Sequence, residues 1–571
     1  MNCKVYYNGS FGTPTPNKMT FFDALYFDYK IAEENNSSRI NLFIHPKEKI
    51  TLSKVVIEIP YNFLSEDQVF CNGFQSWSHS KTYGIGDNIP QIRGLAKRYF
   101  QYYGDDHLIL GKKPALYSWT YGYVQSDSQF FFVGSTSEST AYTFIEYDIG
   151  SNLIRLTKLC DDIELSHSFP VLDIVVNQGN EKAVFDIYFE SMSKSNKQMD
   201  TTFGWTSWYR HYNDISEAKI EEDLQNFSSL SDISPLNDHK RIFQIDDGYQ
   251  NAIGDWIEPS THFPKGLSHI ANKITAQNIV PGIWIAPFVC SKDSKIFAQK
   301  KDWLLKDTSG RVIKAGYNPL WGGWYYALDI YNAQVRDYLT EVFYTFINKW
   351  GFELIKADFL FAAILSPPKD KTKAQVMFDA MSLLEQLIGQ KQLLACGVPL
   401  GSAFQKTAYC RIGPDTHLAW DHKLLKFIRK RERVSTINAL RTIIHRRHLN
   451  KKVFVNDPDV FIMRSEGHKL NLNQQYTTLL IQVLFGSQIF NSDDWKQYNE
   501  DTIEEIKGLV YFIDSKILKV QEPEIDYYQV SFMKEKNFIA HINLNNNKVK
   551  ILGLNDSFDL KPFESIVLME K

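Results

Sequence analysis

Residues 352–360 read FELIKADFL. Phe352, Leu354, Ile355 and Ala357 are apolar, and the run is short and closes on the carboxylate of Asp358. This is the pattern of a strand buried on both faces in a parallel sheet. Lys356 and Asp358 are two residues apart, so they share one face. Working outward, the same pattern recurs in both directions. FGWTSW (203–208), RIFQIDD (241–247) and IVPGIWIAPF (279–288) precede it. LLACGVPL (393–400), YCRIGPD (409–415), KVFVNDPD (452–459) and SQIFNSDD, ending at Asp494, follow it. Amphipathic segments such as SEAKIEEDL, VRDYLTEVFYTFINKW, VMFDAMSLLEQLIG and QQYTTLLIQVLFG lie between them. Eight strands alternating with helices over about 300 residues predict a (β/α)8 barrel, an α/β fold. A doubly wound open sheet is the alternative, but no Gly-rich fingerprint follows the first strand.

The flanks read differently. Runs such as KVVIEIPYNF, FFFVGST and AVFDIYFESM alternate with turn-rich segments and predict an N-terminal β-sandwich over 1–195. The barrel is expected over 196–520, with a last helix near 501–518. YYQVSFM, NFIAHINL, KVKILGL and SIVLME predict a small C-terminal β domain over 521–571. A chain of 571 residues exceeds one compact core, which fits three units.

Composition excludes several function classes. The net charge of −3 offers no basic surface for nucleic acid or anionic membrane. No run of about 18 apolar residues predicts a membrane span. The six cysteines are scattered without a CxxC pair, so neither a zinc site nor a disulfide framework is predicted. MNCKVYYNGSFGTP carries no apolar signal core, and a reducing cytoplasm is the expected compartment. The sequence does not set the oligomeric state.

Nearly every predicted strand ends in polar or aromatic residues: Trp205 and Trp208, Asp246 and Asp247, Trp284, Asp358, Cys396, Arg411 with Asp415, Asp457 with Asp459, and Asp493 with Asp494. The C-terminal strand ends form the active-site face of such barrels. Carboxylates at five of eight ends, with tryptophans, one Lys and one Arg but no metal-ligating His set, suit glycoside cleavage. That reaction needs one carboxylate as nucleophile or base and one carboxylic acid to protonate the leaving oxygen. Metal-assisted hydrolysis is the runner-up; no metal and no cofactor are expected. Lys356 beside Asp358 would keep that carboxylate ionised, as a nucleophile requires. Residue chemistry alone does not separate Asp415 from Asp457 and Asp459 as its partner. Of Asp246 and Asp247, adjacent in the chain, only one is expected to point inward. Trp77, within NGFQSWSHS, lies in the β region, where a lone Trp is more often core than site.

Taken together, GWTSWY, FQIDDGYQ with GDW, FPKGL, PGIWIAPF, IKADFLFAA, CGVPL, RIGPDT and VNDPD resemble glycoside hydrolase family 36, the melibiase-type α-galactosidases, and most resemble its shorter, Thermotoga-type bacterial members. The resemblance implies a barrel flanked by two β domains. It implies Asp358 as nucleophile and Asp415 as acid/base. It implies that Asp246 and Asp247 hold O4 and O6 of galactose, with Lys356 and Arg411 on other hydroxyls and Cys396 near O2. Trp284 and Trp205 would line the pocket, and Trp77 would reach its mouth from the N-terminal domain. Phe74 and Ala357 depart from the family pattern. The implied reaction is double displacement on a small-molecule α-galactoside such as melibiose or raffinose, with carboxyl groups about 5–5.5 Å apart. Galactosyl transfer, N-acetylgalactosamine release and non-catalytic galactoside binding are the competing outcomes.

Overall fold

The computed structural model describes residues 1–570 except 101–103, 105–107, 110–112, 194–196, 230–238 and 553–556. The 195/196 junction expected from the sequence lies outside the described residues.

Two antiparallel sheets, of six and eight strands, occupy residues 2–179. Their inward positions alternate along the strands, as in Ile50–Pro60 and Leu153–Leu165. One expected strand is a helix. AVFDIYFESM falls largely in the helix Glu181–Glu190, capped by the Asn180 side chain on the Ala183 N–H. It buries Val184, Phe185 and Tyr188, a one-sided helical spacing that an apolar run of this length does not reveal by itself.

The barrel strands are β1 (Thr202–Thr206), β2 (Lys240–Ile245), β3 (Val280–Ile285), β4 (Leu354–Ala357), β5 (Gln392–Ala395), β6 (Tyr409–Arg411), β7 (Val455–Asp457) and β8 (Gln488–Asn491). They pair in parallel from β8 through β1 to β7. The seam between β7 and β8 is made by a broken strand. Val455–Asp457 pairs with β6, while Val460–Phe461 pairs with β8. Pro458 cannot donate to a ladder, and Asp459 sits at φ 73°, so the chain steps sideways there.

Period-2 alternation positions the chemistry. Ile242, Leu354, Leu394, Tyr409, Val455 and Phe490 pack together inside the barrel. Two residues further along the same faces come Gln244, Lys356, Cys396, Arg411 and Asp457, and another step reaches Asp246 and Asp358. Apolar layers therefore fill one end and polar groups the other. Between β3 and β4 an inserted antiparallel sheet of Val289–Ser291, Lys314–Asn318 and Gly323–Ala327 rises beside the open end.

The last helix is Glu500–Val510, and the strand Lys516–Glu524 begins the C-terminal sheets, so residue 520 lies inside that strand. No helix among the described residues is long and apolar enough to cross a membrane.

Gly204 tests the inner layering. A Cβ there would lie 2.4 Å from Phe490 and 2.8 Å from the Ile242 carbonyl. Gly204→Ala is expected to cost about 1–3 kcal/mol and lower the thermal midpoint. Exposed Gly508, in the helix Glu500–Val510 with open space around it, is the control: its Ala variant is expected to hold or raise the midpoint. Equal midpoints for the two variants would contradict the packing described.

Candidate active site

A cavity of about 350 Å³ opens at the C-terminal strand ends. Among its described lining residues are six carboxylates, Asp246, Asp247, Asp358, Asp415, Glu432 and Asp459, and three cations, Lys356, Arg411 and Lys430. Trp77 and Trp284 also line it.

Asp358 ends β4 and is 7% exposed. Its Oδ2 accepts from Trp284 Nε1 at 3.1 Å and its Oδ1 from the Phe359 N–H at 2.8 Å. Phe359 has φ 55°, a conformation that costs a non-glycine residue about 1 kcal/mol or more. Its ring is held by Trp77 at 5.1 Å and Trp321 at 4.7 Å. Lys356 shares the inner face of β4 with Asp358, but its Nζ donates to Asp246 Oδ2 at 2.9 Å. Lys356 and Asp358 share the face their spacing predicts, and the hydrogen-bonded partner of Lys356 is Asp246. Asp246, at the end of β2 with only β3 between, reaches Lys356 better than a neighbour two positions along the same strand. Burial works to lower the Lys356 pKa, and Asp246, with a smaller contribution from Asp358, outweighs it and holds the ammonium charged.

Both members of the Asp246–Asp247 pair line the cavity, against the expectation that one would turn away. Asp246 also accepts from Gln244 Nε2 at 2.8 Å. Asp247 accepts from Gln250 Nε2 at 2.6 Å and Trp321 Nε1 at 2.7 Å. Burial raises the Asp247 pKa to about 6.

Arg411, at the end of β6, serves three carboxylates. Nη1 donates to Asp415 at 2.6 Å and Nε to Asp457 at 2.9 Å, and Nη2 pairs with Asp459 at 2.8 Å. The three acids differ in what else they do. Asp457 also accepts the Asp459 N–H, and Asp459 accepts the Thr416 N–H at 2.7 Å and the Tyr209 hydroxyl. Among the described residues nothing bonds the second oxygen of Asp415, whose side chain keeps 37% of its exposure against 1% and 3% for Asp457 and Asp459. The Asp415 pKa is raised, first by desolvation in the enclosed cavity; Arg411 opposes this and Asp358 adds to it.

Cys396 is 1% exposed and does not line the cavity; the indole N–H of Trp77 donates to its Sγ at 3.0 Å. Burial pushes its thiol well above the usual range. Trp77 is therefore at the site and not in the sandwich core. Trp205 is the opposite case. It is fully buried, stacks on Phe243 at 4.5 Å and donates to the Asp493 carbonyl at 2.9 Å. Thr206, one residue on, faces the cavity, so alternation turns Trp205 toward the helices. Trp208, at the same strand end, does line the cavity; residue-level reading missed Tyr209, Trp321, Tyr325, Lys430 and Glu432 as cavity lining. Trp321 and Tyr325 sit in PLWGGWYYA, whose aromatic density was the available signal.

The Melibiase family model matches residues 205–384. The motif resemblance is borne out. The chain is 26% identical to alpha-galactosidase 1 of Pediococcus pentosaceus over 159 residues, 27% of this chain and 20% of that protein. It is 27% identical over 123 residues to the alpha-galactosidase of Escherichia coli, covering 20% of this chain and 16% of that one. These alignments span about a fifth or less of the curated relatives' length. In fold the likeness runs much further. The alpha-galactosidase TtGalA of Thermus thermophilus superposes with TM-score 0.70 at 23% identity, over 93% of this chain and 98% of its own. The family 36 alpha-galactosidase AgaA of Geobacillus stearothermophilus gives TM-score 0.65 at 12% identity, over 95% and 80%. The barrel with strand-rich flanks is the architecture these comparisons share.

Lys356→Met leaves the Asp246 carboxylate buried without its cation, an expected loss of about 3–5 kcal/mol. Asp246→Asn in the same background is expected to recover most of it. Urea midpoints of wild type, Lys356→Met and the double variant check this; an unchanged Lys356→Met midpoint rejects the pair as the stabilising contact.

Proposed function

We propose that this chain is a retaining α-galactosidase that releases terminal α-linked galactose from oligosaccharides such as melibiose and raffinose. The observation that carries the reading is the gathering of Asp358 and Asp415 in one enclosed cavity with Asp246, Asp247, Lys356 and Arg411. Thermus TtGalA in complex with p-nitrophenyl α-galactoside, and Geobacillus AgaA variants in complexes with raffinose and stachyose, support the substrate class. In this reading the sandwich, the barrel and the C-terminal sheets are three domains, bounded near 195/196 and, in place of 520/521, ahead of the strand Lys516–Glu524. Assignment to the cytoplasm rests on the scattered cysteines.

Asp358 is the nucleophile. Its oxygen bonds the anomeric carbon as the glycosidic C–O bond breaks, and Asp415 transfers its proton to the departing oxygen. Water, giving its proton to Asp415, then attacks the anomeric carbon and frees Asp358, with net retention. The open oxygen of Asp415 suits proton transfer, whereas those of Asp457 and Asp459 are occupied. Asp246, Asp247, Lys356 and Arg411 bind hydroxyls and Trp284 packs against the ring, with no metal or cofactor in the scheme. Trp77 fills the space beside Cys396, which favours an unsubstituted C2 over an N-acetyl group.

The raised Asp415 pKa sets the pH dependence. The acid must carry its proton, so activity holds below its pKa and falls as pH rises through it. Wild type is expected to cleave aryl α-galactosides and no other aryl α-glycoside, releasing α-galactose first by proton NMR. Asp358→Ala is expected to abolish turnover. Asp415→Ala is expected to lose about 10²–10⁴-fold in kcat/KM on melibiose. It loses far less on p-nitrophenyl α-galactoside, whose leaving group departs without a proton. First-formed β-galactose, or equal losses on both substrates, sinks the assignment.

A further inference from the structure

The loop between the strands Gln68–Cys71 and Lys81–Gly84 leaves the eight-stranded sheet and enters the barrel mouth. There it pairs with the segment after β5: Ser76 N–H donates to the Val398 carbonyl and Leu400 N–H to the Phe74 carbonyl. Its tip carries Trp77. The loop is tight, since a Cβ on Gly73 would fall 2.1 Å from that of Ser78.

Arg446, just after the helix Thr436–His445 in the β6–β7 connection, is fully buried beneath this loop. Nε donates to Asn72 Oδ1 at 2.9 Å. Nη1 donates to the carbonyls of Ser76 at 3.0 Å and Ile412 at 2.9 Å. Nη2 donates to those of Gly73 at 3.1 Å and Gln75 at 3.2 Å. All five acceptors are neutral oxygens, and among the described residues Arg446 makes no ion pair. Burial lowers its pKa to about 10, which still leaves it charged at neutral pH. A buried guanidinium with no counter-ion is a costly way to fill space, and an apolar side chain packs more cheaply. What the planar fork supplies is direction: it fixes several carbonyls at set angles at once. Four of these acceptors belong to residues 72–76. The fifth, Ile412, follows Arg411 on β6.

We propose that Arg446 is a positioning residue for the active site, clamping the 72–78 loop to the end of β6 so that Trp77 is held over the cavity and against Cys396. The kinetic consequence rests on the α-galactosidase reading; the structural one does not. Two readouts keep them apart. The first is KM and kcat on p-nitrophenyl α-galactoside for Trp77→Ala, Arg446→Met, Arg446→Lys and the Trp77→Ala/Arg446→Met pair. Losing one aromatic contact to the sugar is expected to raise KM about 10-fold, with a smaller effect on kcat. Arg446→Met is expected to match this, and the double variant to be no worse than either single. The second is alkylation of Cys396 by iodoacetamide in the folded protein, read by mass spectrometry. Cys396 is expected to be protected in wild type and labelled in the Arg446 variants, while the buried Cys3, Cys160 and Cys290 stay protected. Arg446→Lys, which keeps the charge but not the fork, decides if Arg446→Met labels every cysteine. The proposal is overturned if both variants label every cysteine, if Cys396 stays protected with KM unchanged, or if the single effects multiply. A wild type inactive on the galactoside overturns the enzymatic reading instead, and the labelling still decides the clamp.

Discussion

One buried guanidinium facing three carboxylates constrains the open end of the barrel. Arg411 has donors for all three, but one positive charge does not neutralise Asp415, Asp457 and Asp459 together. The surroundings absorb the mismatch through hydrogen bonds to the anions. Asp459 receives the Thr416 N–H and the Tyr209 hydroxyl only because the chain breaks at Pro458 and turns through φ 73°. The interruption of β7 is thus what brings a second carboxylate to Arg411, while Val460–Phe461 continues the strand and closes the sheet against β8. Register agrees with this: Arg411 and Asp457 are direct partners across β6 and β7, as are Trp284 and Lys356 across β3 and β4.

The barrel needs little else to build the site. Each inward face starts with an apolar residue and ends, one or two steps later, with a polar one. Ile242, Gln244 and Asp246 follow one another in this way, as do Leu354, Lys356 and Asp358. Water is excluded below, so the Lys356–Asp246 pair meets a lower dielectric and acts more strongly than it would in solvent. The same enclosure raises Asp247 to about 6.

This regularity explains how much was legible in the sequence. Strand ends were readable because an apolar run that stops at a carboxylate is a local pattern, and Asp246 and Asp358 both follow from it. Direction was harder. Trp205 and Trp208 lie at the same strand end, and only the register with β2 and β8 shows that Thr206 faces inward and Trp205 outward. The hydrogen-bonded partner of Lys356 was not legible, because spacing along one strand says nothing of Asp246, 110 residues earlier. AVFDIYFESM was misread because a short apolar run suits either helix or strand, and the capping Asn180 stands outside it. Trp321, Tyr325, Lys430 and Glu432 come from connections, where no periodicity announces which side chain turns inward. Trp77 was beyond local reasoning altogether, since its place depends on a contact with Cys396, 319 residues away.

The distribution of protons follows from the same accounting of contacts. Desolvation raises both Asp415 and Asp459, the latter to about 6, so these two carboxylates hold a proton more readily than solvated ones would. Where that proton resides matters for chemistry. On Asp459 it would compete with the Thr416 N–H and the Tyr209 hydroxyl, donors that require an acceptor oxygen. On Asp415 it displaces nothing, because one oxygen stays on Arg411 and the other faces the cavity. The two buried members of the trio thus have their oxygens committed to donors, and the partly exposed Asp415 has one oxygen uncommitted among the described residues. Asp358 accepts from the Trp284 indole N–H on one oxygen and the Phe359 N–H on the other. Hydrogen bonding thus sets the two carboxylates apart: both oxygens of Asp358 are occupied by donors, while Asp415 keeps one oxygen without a partner among the described residues.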